Sequence, residues 1–237
     1  MQLTLVRSAT LILEIGGRRI LVDPMLDDAG ARPPVENTAN PRRNPLVPLP
    51  FPAAGIVENL DAVFVTHLHK DHFDATAAQL LPRGVPVFCQ PEDEESLGAL
   101  GLRVQSITAN KDWEGLTITR TDGRHGSGAV AEMLAPVSGF VIDDLYIAGD
   151  TVWCTEVDDA IATHRPRAVV INGSGARFID SGPIVMTIDD IRQVADRVPA
   201  VVVVHLEAIN HCIETRAEVR GALPNVKVPD DGETLDL

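Results

Sequence analysis

Residues 62–74, AVFVTHLHKDHFD, constrain the fold of this chain more than any other segment. The first half is a short apolar run rich in β-branched and aromatic residues, the pattern of a strand buried in a sheet. The second half places His67, His69, Asp71 and His72 within six positions, in a chain with seven histidines in all. A strand ending in four such side chains belongs at a sheet edge, where the backbone changes direction and other loops converge. Imidazole nitrogen and carboxylate oxygen suit zinc and other first-row divalent ions, which take four or more ligands. Alternate side chains of a loop can point the same way, so His67 and His69 can reach one ion. Asp71 and His72, past the bend, can then reach a second, and both ions need partners from elsewhere.

Three partners stand in matching contexts. His125 lies in TDGRHGSG, flanked by glycines that let the backbone come close. Asp150 closes the apolar run of LYIAGDT, and His205 closes AVVVV. His211, a few residues further in HLEAINHC, competes with His205; His205 follows the strand directly and is preferred, leaving His211 to support the site or line a substrate pocket. Asn172, Ser174 and Arg177 in VVINGSGARF follow another strand and can face the same edge. There Arg177 would grip an acidic substrate group or, equally, form a surface salt bridge. Arg42 and Arg43 invite the same two readings. His164, at a helix end, is read as structural, Trp153 as core, and Cys212 as a buried, inert thiol.

The remaining pattern is strands first, then strands alternating with helices. ATLILEIGGRRILVDP reads as a hairpin turning at Gly16-Gly17. Asp74 caps a short helix over ATAAQLL, PEDEESLGAL is a helix with proline and acids in its first turn, and VDDAIATH is another. In MTIDDIRQVADRV, Thr187 and Asp190 form a capping-box pattern. VPVFCQ, LRVQSI, LTITRTDG, SGFVI, LYIAGDT, RAVVIN and AVVVV read as strands. Residues 24–52 carry eight prolines, which remove backbone donors, so little regular structure is expected there. This insert, extended to residue 58, is either an active-site lid or a loop packed over the surface. With no repeats and no linker, residues 1–237 read as a single α/β domain with mixed sheets covered by helices.

Charge narrows the partners. Twenty basic residues against 34 acidic give a formal −14, which argues against nucleic acid, whose recognition rests on clustered basic residues. No run approaches a membrane span, and the N-terminus lacks the basic region of a signal peptide. Cys89, Cys154 and Cys212 are odd in number and scattered, as expected of reduced thiols in a cytoplasmic protein. The expected partner is a small molecule, with assembly into a homo-oligomer left open.

The motif HxHxDH, complete as His67, His69, Asp71 and His72, together with His125, Asp150 in its GDT turn and His205, resembles the metallo-β-lactamase superfamily of metal-dependent hydrolases. The opening hairpin is similar too, and within the superfamily the chain looks most like the small cytoplasmic group that includes ascorbate-6-phosphate lactonase. The resemblance implies an α/β (α+β) fold, a four-layer αββα sandwich of two mixed β-sheets with a dinuclear site at one edge. His67, His69 and His125 would hold one ion, Asp71, His72 and His205 the other, and Asp150 would bridge them. The cofactors implied are two divalent ions, zinc first, with manganese or iron accepting the same ligands. A hydroxide activated by both ions would attack a small-molecule ester, lactone or phosphoester, with Asp71 as the catalytic proton carrier. The alternatives are a phosphodiesterase or nuclease of the same fold, and a non-catalytic metal-binding regulatory protein.

Overall fold

The computed structural model describes residues 1–237, with strands wherever the apolar runs fall and a few more besides. In chain order the strands are Gln2–Arg7 (β1), Thr10–Ile15 (β2), Arg18–Val22 (β3), Ala62–Val65 (β4), Pro86–Cys89 (β5) and Arg103–Ser106 (β6). Then follow Asn110–Trp113 (β7), Leu116–Asp122 (β8), Ser138–Ile142 (β9), Leu145–Ile147 (β10), Ala168–Asn172 (β11), Ala200–Val204 (β12) and Thr234–Asp236 (β13). The helices are Ala53–Ile56 (α1), Ala75–Leu80 (α2), Glu94–Ala99 (α3), Ala129–Met133 (α4), Thr155–His164 (α5), Ile188–Ala195 (α6) and Arg216–Ala222 (α7).

Two mixed sheets result, ordered β13-β1-β2-β3-β4-β5-β6 and β12-β11-β10-β9-β8-β7. Each has an antiparallel half of hairpins and a parallel half, β3 to β6 in one and β10 to β12 in the other. Parallel neighbours need long crossovers, and those crossovers carry the helices. Side-chain alternation then sorts the core into layers. In β4, Ala62 and Phe64 point between the sheets, while Val63 and Val65 point outward under α1, α2 and α3. In β12, Val202 and Val204 point inward, while Val201 and Val203 meet α5, α6 and α7. The three largest apolar clusters hold 21, 18 and 16 buried residues, so each outer sheet face is covered almost as fully as the sheet–sheet interior. This is the αββα sandwich.

Local chemistry sets the helix ends. Asp74 Oδ1 accepts from the Ala77 amide at 2.9 Å to start α2, and Thr187 and Asp190 form the capping box of α6. Elements absent from the sequence reading are β7, β13, α1, α4 and α7. No helix is long and apolar enough to cross a membrane.

Residues 24–52 hold no helix or strand, only an isolated bridge between Arg32 and Asn44. Side chains from elsewhere hold the segment in place. Arg7 is wholly buried and donates to the carbonyls of Val47 (3.0 Å), Met25 (2.9 Å) and Asp27 (2.9 Å). Burial pulls its guanidinium down to about 10. Asn210, 1% exposed, accepts from the Val35 amide and the Asn44 side chain and donates to Thr38 Oγ1 and the carbonyls of Asn40 and Val35.

Candidate metal centre

The C-terminal ends of β3, β4, β10 and β12 open on one edge of the sandwich, joined there by the loop after β8. Parallel strands deliver their following loops to that edge, the usual place for a site in an α/β sheet. β4 leads through Thr66 into His67, β10 through Gly149 into Asp150, and β12 directly into His205. His205 (φ 64°) and Asp23 (φ 45°) take the left-handed backbone rare for non-glycine residues, turning the chain sharply where their side chains enter the site. Gly149 is required for space as well as for its φ of 70°, since a Cβ there would lie 2.8 Å from the Ser138 carbonyl oxygen.

All seven candidate ligands come together in two groups, His67, His69 and His125 in one, and Asp71, His72, Asp150 and His205 in the other, with ligand atoms within 4.8 Å of one another in each. In the first, His69 Nδ1 lies 2.9 Å from His67 Nε2 and 3.3 Å from His125 Nε2. Asp150 Oδ2 stands 3.9 Å from His67 Nε2 and 3.7 Å from His125 Nε2. In the second, Asp150 Oδ1 is 3.2 Å from His72 Nε2, and Asp71 Oδ2 is 3.3 Å from His205 Nε2. Donors at ~2.05 Å around a tetrahedral ion lie about 3.3 Å apart, so these spacings fit. The two oxygens of Asp150 face different groups.

The far side of each ring supports the same fit. His72 Nδ1 meets Asp23 Oδ2 at 2.8 Å, and His125 Nδ1 meets the Ile184 carbonyl at 2.8 Å. A carbonyl only accepts, so His125 carries its proton on Nδ1 and presents a bare Nε2 to the centre. Asp23 is fixed by the amide and hydroxyl of Thr66 at 2.8 and 2.7 Å. His205 Nδ1 lies 3.6 Å from Cys212 Sγ. Towards the centre, the buried Nε2 atoms of His72 and His205 find no hydrogen-bond partner, which a divalent ion between the groups would resolve. Electrostatics agree: burial opposes charge on Asp150, but His72 and His205 outweigh it and hold the carboxyl well below its usual range. Burial likewise opposes protonation of His72, yet Asp150 and Asp23 draw it up to about 10. These buried carboxylates favour positive charge on their neighbours, which a protonated imidazole or a bound cation would equally supply.

A cavity of about 290 Å³ opens over these groups, with His69, Asp71, His125 and Asp150 on its floor. Its walls are largely apolar, from Pro34 and Val35 of the proline-rich segment, Leu134, Phe178, Ile184 and Ile209. His211 also lines it; both ring nitrogens are buried without partners, Nε2 lies 3.9 Å from Asp71 Oδ2, and burial pushes its pKa down to about 4.

Other candidates lie elsewhere. Asn172, 4% exposed, donates to Asp150 Oδ1 at 2.7 Å, so it steadies a carboxylate instead of facing the cavity. Arg177 is absent from the cavity wall and donates to the Gly175 carbonyl at 3.2 Å. Ser174 is fully buried. Arg43 grips the carbonyls of Gly30 and Ala31, and Arg42 is exposed. Cys212 is neither fully buried nor remote: it touches His205. Trp153 packs on the helix side of the second sheet, with the Arg197 guanidinium 4.8 Å from its ring centre. His164 ends α5. Sequence reading missed Asp23, Arg32 and Asn210; of these only Asp23, an acid directly after a strand like Asp150, carried a local signal.

Residues 18–206 match the family model described as the Beta-lactamase superfamily domain, so the chain belongs to that family: it is a metal-dependent hydrolase of the metallo-β-lactamase fold with His/Asp clusters able to bind metal. It is 36% identical over 251 residues to the UPF0173 protein YddR of Bacillus subtilis, spanning 99% of each chain. Among solved structures it is similar to an isothiocyanate hydrolase from Delia radicum gut bacteria, at 35% identity and TM-score 0.93 over 100% of this chain and 99% of that one. A possible metal-dependent hydrolase from Veillonella parvula superposes at TM-score 0.95 with 32% identity, again over 100% and 99%.

Proposed function

We propose that this chain, folded as one domain, is a hydrolase dependent on two divalent ions, zinc first, which His67, His69 and His125 on one side and Asp71, His72 and His205 on the other would hold, with Asp150 serving both. The reaction is hydrolysis of a small molecule at an electrophilic centre: an ester or lactone, or a related carbon such as that of an isothiocyanate, with a phosphoester ranked behind them. One observation carries the reading: both ligand groups lie at the floor of an apolar-walled cavity of about 290 Å³, the scale of a small-molecule site. The name of the isothiocyanate hydrolase relative supports a carbon electrophile. Divalent ions so held supply Lewis acidity and lower the pKa of water.

The chain's own residues do the rest. Asp71, with Oδ2 between His205 and His211, orients the attacking water, takes its proton and passes it to the leaving oxygen of an ester or lactone, or to the nitrogen of an isothiocyanate. Asp23, the Ile184 carbonyl and Asn172 hold His72, His125 and Asp150 in position. His211 offers its imidazole to the substrate beside Asp71. The proline-rich segment, fixed by Arg7 and Asn210, forms a lid wall that excludes water from the cavity.

The test is a panel of an aryl acetate, a γ-lactone, phenethyl isothiocyanate and bis(p-nitrophenyl) phosphate, offered to zinc-loaded protein and to chelator-treated protein. The expected result is turnover of at least one carbon electrophile, lost on chelation and restored by zinc. Hydrolysis of the phosphodiester alone, or carbon-electrophile rates equal with and without metal, would sink the reading.

A further inference from the structure

The mouth of the cavity carries two cations, Arg32 and Lys70, in a chain whose net charge is −14. Neither has a role in the arrangement of ligands. Lys70 stands inside the HxHxDH motif, between His69 and Asp71; it is exposed, lines the cavity and forms no salt bridge. Arg32 comes from the proline-rich segment and is held firmly. Its Nε lies 3.1 Å from Asp27 Oδ2 as an ion pair without hydrogen-bond alignment, and its Nη1 donates to the carbonyl of Lys70. Asp27 is itself fixed by Thr76 Oγ1 at 2.6 Å and, through its amide, by Asp74 Oδ2 at 2.7 Å. Nη2 is buried and finds no hydrogen-bond partner.

Arg32 lines the cavity with Nε and Nη2 both buried and lacking a hydrogen-bond partner, so a small movement of its side chain would let an entering acceptor satisfy them. Asp27 neutralises one of the two charges, which leaves a net +1 at the rim from Lys70. We infer that Arg32 and Lys70 form an anion-selecting rim, and that the preferred substrate is a small molecule with an apolar body, an electrophilic centre and one carboxylate directed at this pair. The inference rests on the cavity being the substrate site and deepens that reading. Arg32 supplies a charged donor for the carboxylate, and Lys70 adds a point charge. Against a chain this acidic, the pair also keeps an acidic substrate from being repelled at the entrance.

Binding of unreactive probes tests this independently of turnover. 3-Phenylpropionate and its neutral amide, 3-phenylpropanamide, are titrated calorimetrically into metal-loaded wild type, Arg32→Gln and Lys70→Gln, with metal content measured for each. Wild type is expected to prefer the carboxylate at least tenfold. That preference should shrink about 10- to 100-fold in Arg32→Gln, the scale of a lost charged hydrogen bond, and roughly 2- to 5-fold in Lys70→Gln, as for an exposed charge. The surface substitution keeps the test valid should Arg32→Gln unfold or lose metal. A carboxylate preference retained in full by Lys70→Gln, or the absence of any preference in wild type, overturns the inference. Failure of the substrate panel with the carboxylate preference intact would instead count against hydrolysis while leaving the rim in place.

Discussion

Removing the Asn210 side chain should loosen the proline-rich segment where it meets the rest of the protein. The carboxamide has two donor hydrogens and two acceptor pairs. Its oxygen accepts from the Val35 amide at 2.9 Å and Asn44 Nδ2 at 2.7 Å, while its nitrogen donates to Thr38 Oγ1 at 2.6 Å, Asn40 O at 2.7 Å and Val35 O at 3.1 Å. Four full hydrogen bonds at ~1 kcal/mol net each suggest a loss of about 4 kcal/mol, reduced to about 3 kcal/mol if water reaches the freed loop groups. The Asn210 amide keeps its own bond to Asn44 Oδ1 at 2.9 Å, so the loop is loosened and not expelled. For Asn210→Ala, 3 kcal/mol corresponds to roughly 100-fold faster hydrogen exchange at Val35 and a melting temperature lower by about 6–12 °C for a chain of this size. Trypsin should also gain access at the exposed pair Arg42 and Arg43. Asn210→Asp sharpens the test: it keeps the acceptors, loses the donors, and sets a carboxylate against the carbonyl oxygens of Val35 and Asn40. It should therefore be worse than Ala. Unchanged exchange at Val35, or an aspartate variant more stable than the alanine one, would refute the assignment of Asn210 as the clasp.

Three further outcomes follow from single residues. Asp23→Ala frees the His72 ring at Nδ1 and should weaken metal affinity about 10- to 100-fold in chelator competition with little change in fold; equal affinity would dismiss Asp23 as a support. Gly149→Ala forces a Cβ to 2.8 Å from the Ser138 carbonyl at a φ of 70°, so it should cost more than ~1 kcal/mol in denaturant unfolding and disturb Asp150; a neutral effect would mean the turn yields freely. Burial raises the Asp93 carboxyl to about 6, despite the Gln90 hydrogen bond. The folded state therefore holds this proton more tightly than the unfolded chain, and stability falls as pH rises from about 4 through 6. Asp93→Asn should melt higher than wild type at pH 8 and lose that advantage below pH 4; an advantage independent of pH would remove the carboxyl as its source.

Much of the site was legible because its information is local. An apolar run followed by HLHKDH states both the strand and the candidate ligands, and the same grammar of strand then polar side chain pointed to Asp150 and His205, which the fold brings to the same edge. Local signals also fixed the caps of α2 and α6. Edge strands escaped for a physical reason: β7, NKDW, is a half-exposed edge strand with polar residues, and β13 is three residues paired with β1 across the whole chain. The helix α7 did leave a trace, the capping box of Thr215 and Glu218, which was there to be read. Arg32 and Asn210 were beyond reach, since an arginine or asparagine in a loop has no pattern until its partners, in Asn210's case about 170 residues away, are folded against it. Asn172 illustrates the converse: its position after β11 placed it at the right edge, but only the packing showed that its amide is engaged by Asp150.

Each ligand group draws on both sheets: His67 and His69 come from one and His125 from the other, just as Asp71 and His72 face Asp150 and His205. Cations held there would act as a rivet through the two halves of the sandwich. Parting the sheets at that edge would then have to break ion–ligand bonds, so bound cations would oppose that motion. The same geometry means that neither half, made alone, would carry a complete set of candidate ligands, so bound cations would couple the folding of the two sheets.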